Sequence, residues 1–438
     1  MKRLQVAPEQ ADIVDLTHEA HGVARIDGKT VFVADALPGE RVVLRRTHRQ
    51  RKLDYAVTEQ VLRASAERVP PRCPHFGLCG GCALQHLAPG AQLAFKQTQL
   101  VENLARLGGV QAAGLLEPLT GPAWNYRRRA RLGIKLVPRK GKVLVGFRER
   151  SSPYVADLQE CHVLVEPVGA LITPLARLVE SLTIASRVPQ VEVAVADNGI
   201  ALVLRVLDSP TAADLGLLAG FEQEHSVRFF LQTGGPDTIA PLQSPRSATA
   251  LSYRLDTEGI TIEFEPADFI QVNGALNQAM VSRALQVLDP QPADTILDLF
   301  CGLGNFSLPL ALKAQRVVAV EGDAGLVARA RRNAEGNGIG NVEFQVADLF
   351  AKVLDQPWAR GRYDRVLLDP PRAGAREILP LLAGSGARRV VYISCHSGSL
   401  ARDAGLLVRE HGFRMTAAGV MDMFPHTTHV EAMAVFDR

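Results

Sequence analysis

Residues 296–312 read ILDLFCGLGNFSLPLAL, and this stretch decides the fold. Thr295 to Leu299 is apolar and partly β-branched, the pattern of a strand buried on both faces. Gly302-Leu303-Gly304 supplies a tight turn without Cβ atoms, and Phe306 to Leu312 brings apolar residues back at helical spacing. Strand, glycine turn and helix form the opening unit of a Rossmann-like nucleotide site. A lone G-x-G is weak, because many buried turns need glycine, but the next elements add to it. RVVAVEGD, Arg316 to Asp323, reads as a second buried strand, and Glu321 at its end is placed to accept hydrogen bonds from two ribose hydroxyls. A third strand, Val342 to Ala347, ends at Asp348, and a fourth, Tyr363 to Leu368, runs into Asp369-Pro370-Pro371-Arg372. These polar strand ends share the carboxyl edge, where open α/β sheets bind ligands. The third phosphate-site glycine is missing, and Asn305 and Phe306 stand in its neighbourhood, which favours S-adenosylmethionine over a dinucleotide. The expected fold is α/β, with a Rossmann-like methyltransferase domain of class I.

At 438 residues the chain is too long for one core, and two or three domains are expected. Charged residues at 22% and hydrophobic residues at 47% describe an ordinary globular protein. No apolar run approaches the roughly 18 residues that span a bilayer, and MKRLQVAPEQ at the N-terminus lacks a signal-peptide core. The cytoplasm is the expected compartment, with no membrane partner. A net charge of +3 excludes little, so a polyanion partner is sought in local basic patches. The six cysteines are Cys73, Cys79, Cys82, Cys161, Cys301 and Cys395, and in reducing cytosol clustered cysteines read as metal ligands or catalytic thiols.

From the N-terminus, residues 10 to 62 read as β. Val23 to Val33 is a hairpin about Asp27-Gly28, Leu37 to Glu40 a turn, and Arg41 to Leu44 another strand, together suggesting a small closed barrel of the OB type. RRTHRQRK, Arg45 to Lys52, carries no acid and reads as a basic loop, either tracking an RNA backbone or simply solvated. CPHFGLCGGC, Cys73 to Cys82, places three thiols within one turn-rich loop, and Cys161 in LQECHVL is the unassigned cysteine that could complete a set. Four thiolates fit tetrahedral zinc or a [4Fe–4S] cluster, and spacing does not separate them. Either centre would be structural or RNA-organising. Asn125 to Arg150 is a second basic region with Glu149 as its only acid, read as a strand pair facing RNA or as a solvated strand face. No catalytic constellation is found between Val163 and about Leu255. FIQVN, Phe269 to Asn273, precedes a helix with Leu276, Ala279, Met280 and Val287 on one face, and Gln271 either reaches the cofactor pocket or caps that helix.

A fifth strand, Arg389 to Ser394, delivers Cys395 to the carboxyl edge as a candidate nucleophile, or else a buried strand-end thiol. MDMFPHTTHVEAMAVF, Met421 to Phe436, turns through Pro425 into a last strand carrying Glu431. A thiolate and a general base on one flat ring suit methylation at uracil C5, where sulfur adds to C6 and the base removes the C5 proton. Cys301 is the rival thiol, though its place in the glycine turn suggests packing beside the cofactor. Arg372 after the paired prolines, in place of an aromatic, disfavours an exocyclic amine target and leaves Asp369 to hold the ring.

FIQVN, DLFCGLGNFSLPLA, VEG, DPPRAG, SCHSGSLARD and DMFPHTTHVE resemble, in order and spacing, the motifs of the RNA uracil-5-methyltransferases. The N-terminal barrel is similar to a TRAM domain, and the combination with a cysteine set resembles the branch of the family that acts on 23S ribosomal RNA. That resemblance implies an S-adenosylmethionine site of Gln271, Phe300, Asn305, Glu321, Asp348 and Asp369, with Cys395 as nucleophile and Glu431 as base. It implies a [4Fe–4S] cluster on Cys73, Cys79, Cys82 and Cys161. The expected division is a TRAM-like barrel over 1–66, a central domain with cysteines and basic strands over 67–265, and a catalytic domain over 266–438, acting as a monomer. His396-Ser397 replaces the usual Asn-Pro after the nucleophile, Thr428 stands where Gly is common, and Ala432 where Ser is common. Alternatives are another rRNA uracil, tRNA, or an RNA-binding assembly factor without catalysis.

Overall fold

The computed structural model describes residues 7–242, 250–351 and 353–438. Residues 1–6 of the stretch read for a signal peptide, and 243–249 within the segment 163–255, lie outside these. The chain divides into two compact units. The first comprises the chain up to Lys96 with Arg148–Ala156 and Phe424–Thr428, and the second comprises Gln97–Phe147, Asp157–Met423 and His429–Arg438.

In the first unit, strands Glu9–Asp12, Arg41–Arg49, Leu53–Arg63, Lys29–Ala34, His21–Ile26 and Asp15–Leu16 lie side by side in that order in one sheet. Alternating apolar residues, among them Ala24, Val31, Val33, Val42, Leu44 and Ala56, bury one face as a core, as period-2 patterning dictates. The hairpin about Asp27-Gly28 forms as expected. The basic run is different. Arg45 to Arg49 continues the strand rather than forming a loop, and two of its arginines are matched across the sheet: Arg45 meets Glu59, and the buried Arg46 meets Glu9 and Asp54. Sequence adjacency showed the cations but not their cross-strand acids.

In the second unit, strands Arg129–Val137, Lys142–Gly146, Gln190–Ala196, Gly199–Arg205, Arg228–Gln232 and Ile239–Pro241 build a six-stranded sheet. Its basic strand pair is again matched by acids from elsewhere: Arg129 and Arg131 by Glu192, Lys140 and Lys142 by Asp157. The other large sheet consists of β1 (Gly114–Leu115), β2 (Thr295–Leu299), β3 (Arg316–Glu321), β4 (Val342–Val346), β5 (Arg365–Leu368), β6 (Arg389–Ser394), β7 (Arg414–Met421) and β8 (Glu431–Asp437), in the order β4-β3-β2-β5-β6-β8-β7-β1. Strands β4 to β6 are parallel, and β8 inserts antiparallel between β6 and β7. Apart from the short β1, this is the class I methyltransferase order, with its switch point between β2 and β5, where a crevice opens at the carboxyl edge. The continuous apolar runs of β2, β3, β5 and β6 follow from burial on both faces.

Helix α1 (Gly274–Leu288) is capped by Asn273, whose side chain accepts from Leu276 N at 3.2 Å, so Gln271 is not the cap. Its buried stripe runs through Leu276, Met280, Val281, Ala284, Leu285 and Leu288. Ala279 and Val287 are only half-buried. Helices α2 (Ser307–Ala311), α3 (Ala324–Gly336) and α4 (Ser397–Arg409) follow β2, β3 and β6. Among the described residues no helix is long and apolar enough to cross a membrane.

The buried Asp54 is a test of the first unit's electrostatics. Burial alone would raise its carboxyl, but hydrogen bonds from Lys29 and Arg46 outweigh that and hold it below the usual range. Its contribution is therefore present above about pH 4 and lost as acidification protonates it. Asp54→Ala leaves Arg46 facing a buried gap and is expected to cost about 3 kcal/mol in urea denaturation at pH 7, with the gap between variant and wild type closing on acidification.

Candidate active site

The carboxyl edge of the eight-stranded sheet opens into a cavity of about 520 Å³. Gln271, Phe300, Asn305, Glu321, Asp348, Asp369, Cys395 and Glu431, drawn from seven separate stretches of sequence, all line it. The strand ends explain the convergence. β2 delivers Phe300 and the glycine turn, β3 Glu321, the loop after β4 Asp348, β5 Asp369 and β6 Cys395.

The turn after β2 is locked by its own backbone. Phe300 takes a positive φ of 64°, Gly304 one of 92°, and Gly304 N donates to Cys301 O at 2.9 Å. Glu321 is fixed against this turn: its carboxylate accepts from Gly302 N at 3.2 Å, and from Gly322 N and Asp323 N at 2.7 and 3.1 Å. Asn305 turns its amide to Asn277, with which it exchanges two 3.0 Å hydrogen bonds, and accepts from the Tyr253 hydroxyl at 2.9 Å. Phe300 and Phe350 form an aromatic pair with centroids 5.8 Å apart, and Asp348 accepts from Phe350 N at 2.9 Å.

Register sets the chemical pair. β6 and β8 run antiparallel with Ser394 opposite Ala432. Cys395, just beyond that last rung, and Glu431, at the start of β8, line the same cavity, and the Glu431 charge acts on the thiol. Glu431 is buried, at 8% exposure, and not the exposed strand residue that a lone Glu would more often be. Burial first, then the charges of Glu431 and Asp369, push the Cys395 thiol up to about 11, while Arg372 works against them. Asp369 is deeply set, with part of its surface facing the cavity, and burial pushes its carboxyl up to about 7. Near neutral pH it can therefore donate a hydrogen bond or accept one. Cys301 also lines the cavity but is 3% exposed, and burial beside Asp298 and Glu321 pushes its thiol well up.

His396, standing where Asn is usual, caps α4. Its Nδ1 accepts from Ser399 N at 3.1 Å, which leaves the ring proton on Nε2. Burial and the neighbouring Arg372 and Arg402 lower its pKa, in keeping with a neutral cap. Cys395 thus precedes the N-terminus of a 13-residue helix, where negative charge is favoured.

Some lining residues escaped the sequence reading. Tyr253 lies in the segment judged to hold no catalytic constellation, and Phe350 follows Asp348 in a loop. Asn277, which lies beneath the cavity, was detectable: it is a polar residue on the buried stripe of α1, four residues after the cap. Phe269, 69% exposed, lies on the cavity wall.

The cysteine loop belongs to the first unit. It is pinned by Cys73 N to Gln85 Oε1 at 3.1 Å, Cys79 N to His75 O at 2.9 Å and Gly80 N to Arg148 O at 2.8 Å, and Cys79 Sγ accepts from Gly81 N at 3.4 Å. Cys161 belongs to the second unit, with its backbone N–H on Gly169 O. Among the described residues no three His, Cys, Asp or Glu side chains gather as a metal site.

The electrostatics of Cys395 can be read by alkylation. With neither cofactor nor RNA, the rate of iodoacetamide attack on Cys395, resolved by peptide mass spectrometry, is expected to rise with pH toward a midpoint near 11. Glu431→Gln and Asp369→Asn each remove a negative neighbour and are expected to move that midpoint down.

The family described as tRNA (Uracil-5-)-methyltransferase matches residues 251–438, and the TRAM domain matches residues 9–45. The 23S rRNA (uracil(1939)-C(5))-methyltransferase RlmD of Alkalilimnicola ehrlichii is 53% identical, over 100% of this chain and 98% of its own length. The protein of the same name from Bordetella parapertussis is 50% identical, over 97% of this chain and 92% of its own. Among solved structures, Pyrococcus abyssi tRNA (uracil-54, C5)-methyltransferase in complex with S-adenosyl-L-homocysteine superposes with a TM-score of 0.74 at 22% identity, over 98% of this chain and 100% of that one. With identity at this level along the whole chain and a TRAM domain ahead of a class I methyltransferase fold, the chain belongs to the RNA uracil-5-methyltransferase family.

Proposed function

We propose that this protein methylates C5 of a uracil in 23S ribosomal RNA, the uracil 1939 for which its relatives are named, with S-adenosylmethionine as methyl donor. The observation that carries this reading is that a thiol and two carboxyl groups, Cys395, Glu431 and Asp369, line one cavity and act on one another electrostatically. Gln271, Phe300, Asn305, Glu321 and Asp348 are assigned to the methyl donor, with Glu321 serving the ribose and the glycine turn giving close backbone approach. The donor supplies an electrophilic methyl group and brings one positive charge into a cavity lined with acids.

Uracil C5 is too weak a nucleophile to take that methyl unaided. Cys395 Sγ adds to C6, and the C5=C6 electron pair shifts toward O4, giving an enolate with carbanion character at C5. Asp369 serves the ring edge, accepting from N3–H or, when protonated, donating to O4. C5 then bonds to the methyl carbon as the carbon–sulfonium bond breaks. Glu431 takes the C5 proton, the C6–sulfur bond cleaves, and the Cys395 thiolate is restored. A thiol pushed up to about 11 is a poor nucleophile, and a bound cation, Arg372 and the helix end each favour its ionised form. The target base must leave its stack to reach the cavity.

We assign 1–66 and the basic strands of 67–265 to RNA binding, and 266–438 to the chemistry. We also propose that Cys73, Cys79 and Cys82, with Cys161 as the fourth ligand assigned from sequence, hold a [4Fe–4S] cluster. The resemblance of the cysteine set supports it, the Gly81 N–H to Cys79 sulfur bond suits a metal-bound thiolate, and no chemical step runs through it. Iron and broad visible absorbance in protein purified without oxygen, both lost in Cys79→Ser, are the expected result. Colourless protein carrying zinc would replace this part of the reading.

With 23S rRNA lacking the modification, Cys395→Ala is expected to lose methyl transfer by about a thousandfold or more. Glu431→Gln is expected to accumulate a covalent RNA–protein species, visible as a denaturation-resistant band. Equal turnover on tRNA, or methylation of 23S rRNA only at another uracil, would change the assigned substrate.

A further inference from the structure

The motif SCHSGSLARD ends in Arg402 and Asp403, which the chemistry above leaves without a role. Asp403 is fully buried on α4, eight residues beyond the nucleophile. Its Oδ2 accepts from the Tyr392 hydroxyl at 2.7 Å and from Ala375 N at 2.8 Å, and its Oδ1 accepts from Arg402 Nε at 2.8 Å. Arg402 in turn donates through Nη2 to Ala373 O at 2.8 Å. One carboxylate therefore joins three elements. Tyr392, fully buried on β6, lies three residues before Cys395. Helix α4 begins two residues after Cys395. The loop 369–375 carries Asp369 and Arg372 into the cavity.

That loop has contacts outside these as well: Asp369 N donates to Leu299 O at 3.3 Å, and Arg372 Nη2 lies 3.3 Å from His429 Nδ1. Two prolines stiffen its start, and Gly374 N closes a turn on Pro371 O at 2.8 Å. Gly374 sits at φ +85° against the clamp, where an added Cβ would come within 2.5 Å of both Asp403 Oδ2 and Arg402 Nη2. Hydrogen bonds to a buried charged group are among the stronger ones available to fix such a loop.

We propose that Asp403, with Arg402 and Tyr392, is the positioning clamp that sets Cys395 against Asp369 and Arg372, and so fixes where the nucleophile meets the ring. Asp403 is fully buried and does not line the cavity. It acts through the loop and through the strand, and a displacement of about an ångström at that distance costs rate steeply. Because the assigned donor-binding residues other than Asp369 lie on elements the clamp does not touch, donor affinity is separable from covalent addition.

This inference rests on the proposed reaction, and the test keeps the two apart. A 23S rRNA fragment carrying 5-fluorouridine at position 1939 offers no C5 proton for Glu431 to remove, so the Cys395–C6 bond persists after methyl transfer. Wild type is mixed with this RNA and S-adenosylmethionine, and the rate of adduct formation is followed on denaturing gels. Failure of wild type to form the adduct overturns the reaction itself. Given that adduct, Asp403→Asn and the part-exposed Arg402→Gln are each expected to slow its formation about tenfold or more, with S-adenosylmethionine affinity unchanged within about twofold. Tyr392→Phe, which keeps the ring, is expected to give a smaller loss, and Arg402→Lys to recover part of the rate lost in Arg402→Gln. Folding is checked by thermal melting, and Arg402→Gln carries the test where Asp403→Asn does not fold. Wild-type adduct rates in the folded variants, or a parallel loss of donor affinity, would overturn the clamp.

Discussion

The site depends on one constraint, the antiparallel register between β6 and β8. Because Ser394 faces Ala432 at the last rung, Cys395, the first residue beyond β6, comes out on the same cavity as Glu431, the first residue of β8. A slip of one residue would turn each side chain to the other face of the sheet. The ladder is well protected: β6 is paired on both sides, and β8 is buried over nearly its whole length. The chemistry is thus set at the carboxyl ends of central strands, with Cys395 one residue beyond β6 and Asp369 one residue beyond β5.

That placement has an electrostatic consequence. A thiol among acids is pushed up to about 11, the opposite of the usual low-pKa catalytic cysteine. With Arg372 already in place, the arrangement makes the nucleophile depend on positive charge brought by the methyl donor. Asp369, raised to about 7 by burial, sits at the boundary between donor and acceptor. Cys395 and Asp369 share this cavity with Glu431, and burial sets different limits on the thiol and on the Asp369 carboxyl at neutral pH.

Much of this was legible in the sequence, and the reason is physical. Parallel strands buried on both faces leave continuous apolar runs, and their carboxyl ends collect polar residues, so Glu321, Asp348, Asp369 and Cys395 could be found without coordinates. What linear order conceals is pairing across strands. The run from Arg45 to Arg49 looked like unopposed charge because Glu9, Asp54 and Glu59 come from other strands. The Arg129 to Lys142 region looked basic because Glu192 and Asp157 lie further along the chain. Tyr253 enters the cavity from a short strand pair whose sequence carries no site signature. Asp403 was visible only as the last letter of a motif, since its importance lies in contacts with Tyr392 and Ala375.

The central claim is that sulfur of Cys395 bonds to the pyrimidine during turnover. Peptide mass mapping of the complex trapped on 5-fluorouridine RNA in the presence of S-adenosylmethionine addresses it most directly. A methylated fluorouridine linked to the peptide that contains Cys395 is the predicted result. Attachment at Cys301, or complete methylation of ordinary RNA by a protein lacking the Cys395 sulfur, would contradict it.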